Sequence, residues 1–378
     1  MKVKSIEAWL LLTPDDGRPH WVSHFIVPRA SELLVRIGTE DGLYGIGLAT
    51  SYTPIQAVEQ AIDGGILNNL LGREFPGPEQ IYEELFSLTW KRRSFENGWS
   101  REAILRISAA VDIALWDLMG KQAGMPLFQI FGGYRSEVPA YATCAYYRDG
   151  KDMKELRDEM EMLKRQGHRA YKAKIGGIDL LEDIERLRVV REVIGSDSEL
   201  MVDVNRGWDL DTAIKGAKLL EQFSPTWLEE PVHWADDHRE LTLLSRHSKI
   251  PLSAGESEST PYACRSLVEQ GAVKFLQFDC TMMGGFTQGR KLTALCELNH
   301  VRVAPHHDCF IHAHIVASSP AGYIVESFTD PERDPLQAEL FINPPRIENG
   351  TLYLNKQPGL GLELSPAALE KFGRKILS

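Results

Sequence analysis

The sequence predicts an α/β protein in which a parallel β/α barrel follows an antiparallel lobe. Three observations carry this prediction. From Val138 to about Glu326, short apolar runs alternate with helical patterns without interruption. Seven of those runs end in, or are followed by, a reactive residue: Lys172-Ala173-Lys174, Asp203, Glu229, Glu256, Asp279, His306 and Glu326, at intervals of 20 to 29 residues. Each interval is about one βα unit, and in such barrels reactive groups sit at the C-terminal ends of the strands. The first fifty residues read differently, as alternating strands of an antiparallel sheet.

In chain order, Lys2–Leu12 and Ser31–Thr39 alternate as strands, and Asp41-Gly42 marks a hairpin turn before Tyr44–Leu48. Between the first two strands lies a polar stretch, Thr13–Val27, with no apolar period of its own. A loop this long in a compact lobe is expected to be functional, as a lid. Its Asp16, Arg18, His20, Ser23 and His24 suit a hydroxylated substrate, with Trp21 and Phe25 packing it down. Tyr52 and Thr53 belong to a second loop near residues 50–55. Arg18, His20 and Tyr52 are therefore expected to bind substrate.

Helical patterns follow at Pro54–Leu71, Pro78–Thr89 and Arg101–Ala123. In the last, Ile104, Ile107, Ser108, Val111, Leu115 and Leu118 recur at helical spacing until Gly124 and Pro126 stop it. The barrel strands come next, and after Glu326 the chain runs through Pro344-Pro345 and Gly350 to a short tail. The division expected is a capping domain at 1–130, with lid loops near 14–27 and 50–55, a barrel at 131–330, and a C-terminal segment at 331–378.

A formal charge of −11 argues against nucleic acid and anionic membrane as partners. There is no apolar run of membrane-spanning length and no leader pattern at the start, so a cytoplasmic protein is expected. Five cysteines without CxxC spacing read as buried thiols rather than as disulfides or a zinc site.

Asp203, Glu229 and Glu256 on three consecutive strands would point three carboxylates at one spot, which calls for shared protons or a cation. Three oxygen donors with room for water and substrate suit Mg²⁺. Lys172 and Lys174 alternate on one strand and face the same way. Two ammonium groups held close lower each other's pKa, so Lys174 is a candidate base. His306 has Asp279 as its neighbour on the preceding strand, an acid/base dyad in which the carboxylate fixes the tautomer. A metal-bound substrate carboxylate would then have an acidified α-proton with a base on either side, the arrangement for enolate chemistry.

These motifs resemble the enolase superfamily, and within it the mandelate racemase-like subgroup. The resemblance rests on Lys172-Ala173-Lys174, Asp203-Val204-Asn205, Trp227-Leu228-Glu229-Glu230-Pro231, Gly255-Glu256-Ser257, the Asp279 and His306 pair, and Val325-Glu326. Ala109 to Asp117 and Phe131-Gly132-Gly133 resemble the helix and link before the barrel. The resemblance implies an α+β cap on a (β/α)7β barrel with the tail returning to the cap, and magnesium held by Asp203, Glu229 and Glu256. It implies that Lys174 and His306 are the acid/base groups and that Lys172 sits near the substrate carboxylate. Asn205 would lie near the metal's outer shell and bind substrate, and a protonated Glu326 would donate to the enediolate. A homo-oligomer is expected from the family alone. Many relatives carry Gly-Glu where this chain has Gly47-Leu48, which alters the end of that cap strand. Lactonising and epimerising relatives with a lysine at the position of Asp279 are disfavoured.

The reaction expected is dehydration of an acid sugar, an aldonate or aldarate, to a 2-keto-3-deoxy acid. Racemisation or epimerisation of a 2-hydroxy acid is the alternative from the same enediolate, and a barrel that binds an acid without turnover is a third reading.

Overall fold

The computed structural model describes residues 2–14, 17–27, 31–50 and 55–378. Fourteen strands are found among them: β1 (Val3–Leu12), β2 (Ser31–Thr39), β3 (Tyr44–Thr50), β4 (Glu137–Cys144), β5 (Ala170–Lys174), β6 (Glu199–Asp203) and β7 (Trp227–Glu229). The rest are β8 (Leu252–Ala254), β9 (Phe275–Leu276), β10 (Arg302–Val303), β11 (Val325–Ser327), β12 (Arg346–Glu348), β13 (Thr351–Tyr353) and β14 (Gly373–Leu377).

The lobe is an antiparallel sheet in the order β14-β1-β2-β3. The turn between β2 and β3 closes where Gly42, at φ 85°, takes a left-handed conformation costly for other residues. The helix Arg101–Ala123 starts where Ser100 Oγ accepts from the Ala103 amide, and it stops at Gly124 with φ 66°. It lies directly on β3. A Cβ at Gly45 or Gly47 would collide with the carbonyl oxygens of Ala114 and Ala110, so the glycines are what let strand and helix meet so closely. Leu48 is buried in the core shared with the barrel, beside Leu11, Leu34, Ile113 and Trp116.

The second sheet runs β10-β9-β8-β7-β6-β5-β4, parallel throughout, and β11 pairs in parallel with β4. Ahead of β11, Val303 N donates to Ala321 O and Val303 O accepts from Tyr323 N. The tail adds the β12–β13 hairpin to β4 and then β14 to β1. Alternation along the strands sorts the side chains. Tyr171, Ala173, Leu200, Val202 and Leu228 pack outward under the helices. Tyr141, Ala170, Met201, Trp227, Phe275, Ala304 and Ile324 form an inner apolar cluster. One alternation further along, Lys172, Asp203, Glu229, His306 and Glu326 stand on that floor.

All five cysteines are free and buried. Among the described residues, no helix is long and apolar enough to cross a membrane.

His314 joins the barrel to the tail. Its Nδ1 accepts from the Phe128 amide at 3.2 Å, and its Nε2 faces Leu360 O at 3.2 Å, so Nε2 carries the proton of a neutral ring. Burial pushes its pKa down to about 4. An unfolded chain binds this proton near pH 6.5, so stability is complete above that value and declines as pH falls toward 4. The expected loss is about 2 to 3 kcal/mol across that window. Chemical denaturation of wild type and His314→Gln at several pH values checks this, the variant being expected to show the shallower decline.

Candidate active site

Asp203 ends β6, Glu229 ends β7, and Glu256 lies two residues beyond β8. One oxygen from each carboxylate falls within 4.8 Å of the other two. Asp203 Oδ1 accepts from the Asn205 amide at 2.8 Å, and Glu229 Oε2 accepts from Trp227 Nε1 at 2.7 Å, so backbone and floor orient the cluster. Glu256 Oε2 is buried without a hydrogen-bond partner, and Asn205 Oδ1 is in the same state. Burial, reinforced by Asp203 and Glu256, pushes the Glu229 carboxyl well above its ordinary range. Three converging carboxylates, one of them resisting ionisation and one with an unsatisfied oxygen, fit a hard divalent cation.

The two lysines enter this cluster from β5. Lys172 is fully buried, with Nζ 2.7 Å from Glu229 Oε1, 2.8 Å from Glu326 Oε1 and 3.7 Å from Asp203 Oδ2. Lys174 Nζ is 2.5 Å from Asp203 Oδ2. The expectation that the pair depress each other's pKa is corrected here. Burial lowers both, but the carboxylates outweigh burial and mutual repulsion together and hold both ammonium groups above their ordinary value. The acids that raise Lys174 are led by Asp203, one of the three converging carboxylates.

Across the site, His306 Nδ1 lies 3.0 Å from Asp279 Oδ2, and its Nε2 lies 3.8 Å from Glu256 Oε2. Burial would raise the Asp279 carboxyl, yet the bond to His306, with His312 and Thr281 beside it, holds it below its usual range. An ionised Asp279 accepts the Nδ1 proton, so that Nε2, on the side of Glu256, is the nitrogen that exchanges protons. Burial works against protonation of His306, but Glu256 first and Asp279 next raise its pKa.

Glu326 also departs from expectation. A donating, protonated carboxyl was expected. Instead Oε1 accepts from Thr143 Oγ1 at 2.6 Å and pairs with Lys172, and Oε2 accepts from the His307 amide at 2.8 Å. Burial favours the neutral acid, but Lys172, His306 and Lys174 hold it well below its ordinary range. Every contact is one a carboxylate makes.

A cavity of about 430 Å³ opens above these groups, lined by Lys174, Asn205, Glu256, His306 and Glu326. Tyr146, Arg206, Ser257, Met282, Phe328 and Arg333 complete its barrel wall. The lid contributes Val22, Phe25, Ile26 and Val27, so it meets the cavity with apolar side chains, the reverse of the polar face expected. Its polar groups hold it to the barrel instead. Arg18 Nε donates to Asp149 O at 2.8 Å and its Nη2 to Glu155 at 3.0 Å, and neither Arg18 nor His20 lines the cavity. His20 Nε2 sits 3.4 Å from Asp330, and Ser23 Oγ donates to Asn205 O at 3.0 Å. Trp21 stacks on Tyr147 with ring centroids 4.3 Å apart. Tyr52 and Thr53 lie outside the described residues.

Reading the sequence for strand ends missed Arg206, which directly follows Asn205. It also missed Tyr146, Phe328 and Arg333, which sit in loops after β4 and β11. Ala145, Asn205, Arg206, Glu230, His307 and Asp308 all have positive φ just past strand ends, a cost a fold bears where side chains must be aimed.

Residues 5–132 match the family described as mandelate racemase / muconate lactonizing enzyme, N-terminal domain, and residues 155–368 match the one described as enolase C-terminal domain-like. An arabinonate dehydratase of Saccharolobus solfataricus is 30% identical, over 89% of this chain and 89% of that protein. A 3,6-anhydro-alpha-L-galactonate cycloisomerase of Streptomyces coelicolor is 32% identical, over 90% of each. The L-talarate/galactarate dehydratase of Salmonella typhimurium, crystallised with Mg and L-lyxarohydroxamate, superposes with a TM-score of 0.87 at 27% identity, covering 99% of this chain and 93% of that one.

The carboxylate cluster makes a direct prediction. Mg²⁺ added to metal-free protein should raise Tm, since a ligand bound only by the folded state stabilises it. Asp203→Asn and Glu256→Gln should each abolish most of that rise in a thermal-shift titration, whereas an undiminished rise in both would show that the ion binds elsewhere.

Proposed function

Because the chain belongs to the mandelate racemase/muconate lactonizing enzyme family of the enolase superfamily, we propose that it is a magnesium-dependent dehydratase of an acid sugar. The observation that carries this reading is that Lys174 and His306 line one cavity, beside the Asp203, Glu229 and Glu256 carboxylates. The proposed ligands are those three residues, with Asn205 beside them. Bound magnesium supplies Lewis-acid stabilisation of the negative charge on an enolised substrate carboxylate.

The remaining work falls to side chains. Lys172 places a fixed ammonium where charge develops, and ionised Glu326 holds that ammonium in place. Lys174, whose hold by Asp203 would weaken where that carboxylate binds the cation, or His306 removes the α-proton. His306 then delivers a proton through Nε2 to the β-hydroxyl as its C–O bond breaks, water departs, and the enol tautomerises to the 2-keto-3-deoxy acid. Asp279 keeps the imidazole in the right tautomer. The apolar lid face excludes water, which strengthens every charge interaction beneath it.

The same reading takes the barrel as (β/α)7β, closing between β10 and β11. It takes 1–130 as cap, 131–330 as barrel and 331–378 as the returning segment, in a cytoplasmic homo-oligomer. A second reading, racemisation or epimerisation, is supported by two acid/base groups in one cavity, since a proton removed by one can be returned by the other.

Incubating the protein and Mg²⁺ with a library of aldonates and aldarates, with 2-keto acid detected as its semicarbazone, tests the proposal. A positive reaction is expected, with His306→Asn lowering kcat by a factor of about 10² to 10⁴. Solvent deuterium incorporated at the α-carbon without formation of keto acid would replace dehydration with the racemase reading.

A further inference from the structure

Among the described residues, three groups of acids and histidines bring one ligand atom each to within 4.8 Å of the others. One is the Asp203, Glu229 and Glu256 cluster. A second, Asp237, His238 and Glu258, is already satisfied, since His238 Nε2 lies 2.7 Å from Glu258 Oε1 and its Nδ1 lies 3.2 Å from Ser266 Oγ. The third joins the cap to the barrel, with Glu32 on β2 and His307 and Asp308 on the loop after β10.

Glu32 is 2% exposed, and its Oε2 has no hydrogen-bond partner among the described residues. Burial first, then Asp308 and Asp334, push its carboxyl well above the ordinary range. An unsatisfied buried oxygen and a carboxyl that resists ionisation are the two marks that Glu256 and Glu229 carry in the first cluster. The leading charges acting on Glu32 are Asp308, Asp334 and Asp279, all negative, against His307. The group is short of positive charge.

His307 is set as a ligand. Its Nε2 lies 3.2 Å from Asp334 Oδ2. Burial would raise the Asp334 carboxyl, but the bond to His307 holds it below its ordinary range, so an ionised Asp334 accepts the Nε2 proton and Nδ1 is the nitrogen left to coordinate. Nδ1 is buried without a hydrogen-bond partner, and Asp308 Oδ2 lies 3.5 Å from it. A carboxylate behind one imidazole nitrogen, with the other nitrogen turned to further carboxylates, is the support that metal-bound histidines have. Thr50, the register partner of Glu32 on β3, donates to Asp308 Oδ2 at 2.9 Å and holds that carboxylate beside the cap.

We propose that Glu32, His307 and Asp308 form a second cation site, for a divalent transition metal, which ties cap strand β2 to the barrel at the residue after His306. Two carboxylates and an imidazole suit Zn²⁺ or Mn²⁺, whereas the all-oxygen first cluster suits Mg²⁺. Against burial, Asp308 and then Asp334 raise the pKa of the His307 ring, so the ion takes the place of a proton and binds more tightly as pH rises.

The test uses metal-free protein carrying Asp203→Asn, which removes a ligand from the first cluster. It is dialysed against Zn²⁺ or Mn²⁺ in excess Mg²⁺, bound metal is counted by elemental analysis, and Tm is recorded alongside. One equivalent should be retained and should raise Tm. Asp334→Asn, which can still cap the helix Pro335–Glu339, should weaken binding by about ten- to a hundredfold, and Glu32→Gln and Asp308→Asn, which remove ligands themselves, by more. Circular dichroism of the metal-free variants identifies any that misfold, and the others then carry the comparison. Failure of the Asp203→Asn parent to retain either metal, or undiminished affinity in the folded variants, overturns the proposal. In the first case, an infrared band of a protonated carboxyl that disappears in Glu32→Gln would show a proton filling the place assigned to the cation.

Discussion

Everything in this protein is arranged around a pair of lysines buried among carboxylates. Lys172 has no exposed surface and touches Glu229 and Glu326 within hydrogen-bonding distance, and Lys174 does the same with Asp203. Removing so many charges from water is tolerable only if each finds partners at short range and fixed geometry. The aromatic floor of Tyr141, Trp227 and Phe275 supplies that rigidity from below. The charges cannot spread apart to relieve one another, so the site is preorganised before any ligand arrives.

The cap is fastened to the barrel by buried polar contacts as well as by the apolar core the two share. Asp117 on the long helix accepts from the Ile46 amide, from Lys121 and from the Leu360 amide, joining β3, the helix and the tail at one carboxylate. Asp112 on the same helix accepts from the amide and hydroxyl of Thr287. Thr50 at the end of β3 donates to Asp308, and Thr281 links Thr50 to Asp279. A short chain of hydroxyls thus runs from the cap sheet to the carboxylate behind His306. The placement of the cap sheet and the orientation of the imidazole are linked by one continuous set of contacts.

How much of this was legible in the sequence depended on periodicity. Strand alternation places Lys172, Lys174, Asp203 and Glu229 on one face from spacing alone, and helical spacing gives Arg101–Ala123 with both ends correct because Ser100 and Gly124 are local signals. The strand ends on the far side were less plain. β9 and β10 stop three residues before Asp279 and His306, so those groups stand on the following loops. The lid was read the wrong way round because its polar side chains find partners far along the chain, such as Glu155 for Arg18, and no local pattern reports them. The charge of Glu326 was misjudged for the same reason. Burial alone would keep it neutral, and the tertiary positions of Lys172, His306 and Lys174 ionise it. Arg333 gave no sign in sequence because its setting is made by two rings, Tyr146 and Phe328, that follow the paired strands β4 and β11 and lie far apart along the chain.

The pairing of β14 with β1 has a consequence for how the molecule is made. β1 is translated before every barrel strand, yet its outer partner emerges only after them. On the ribosome the cap sheet therefore waits with one edge unpaired while the barrel is completed beneath it. The finished active site and the finished cap are reached together, once β14 has emerged, so a chain that stalls short of β14 exposes a bare sheet edge to its neighbours.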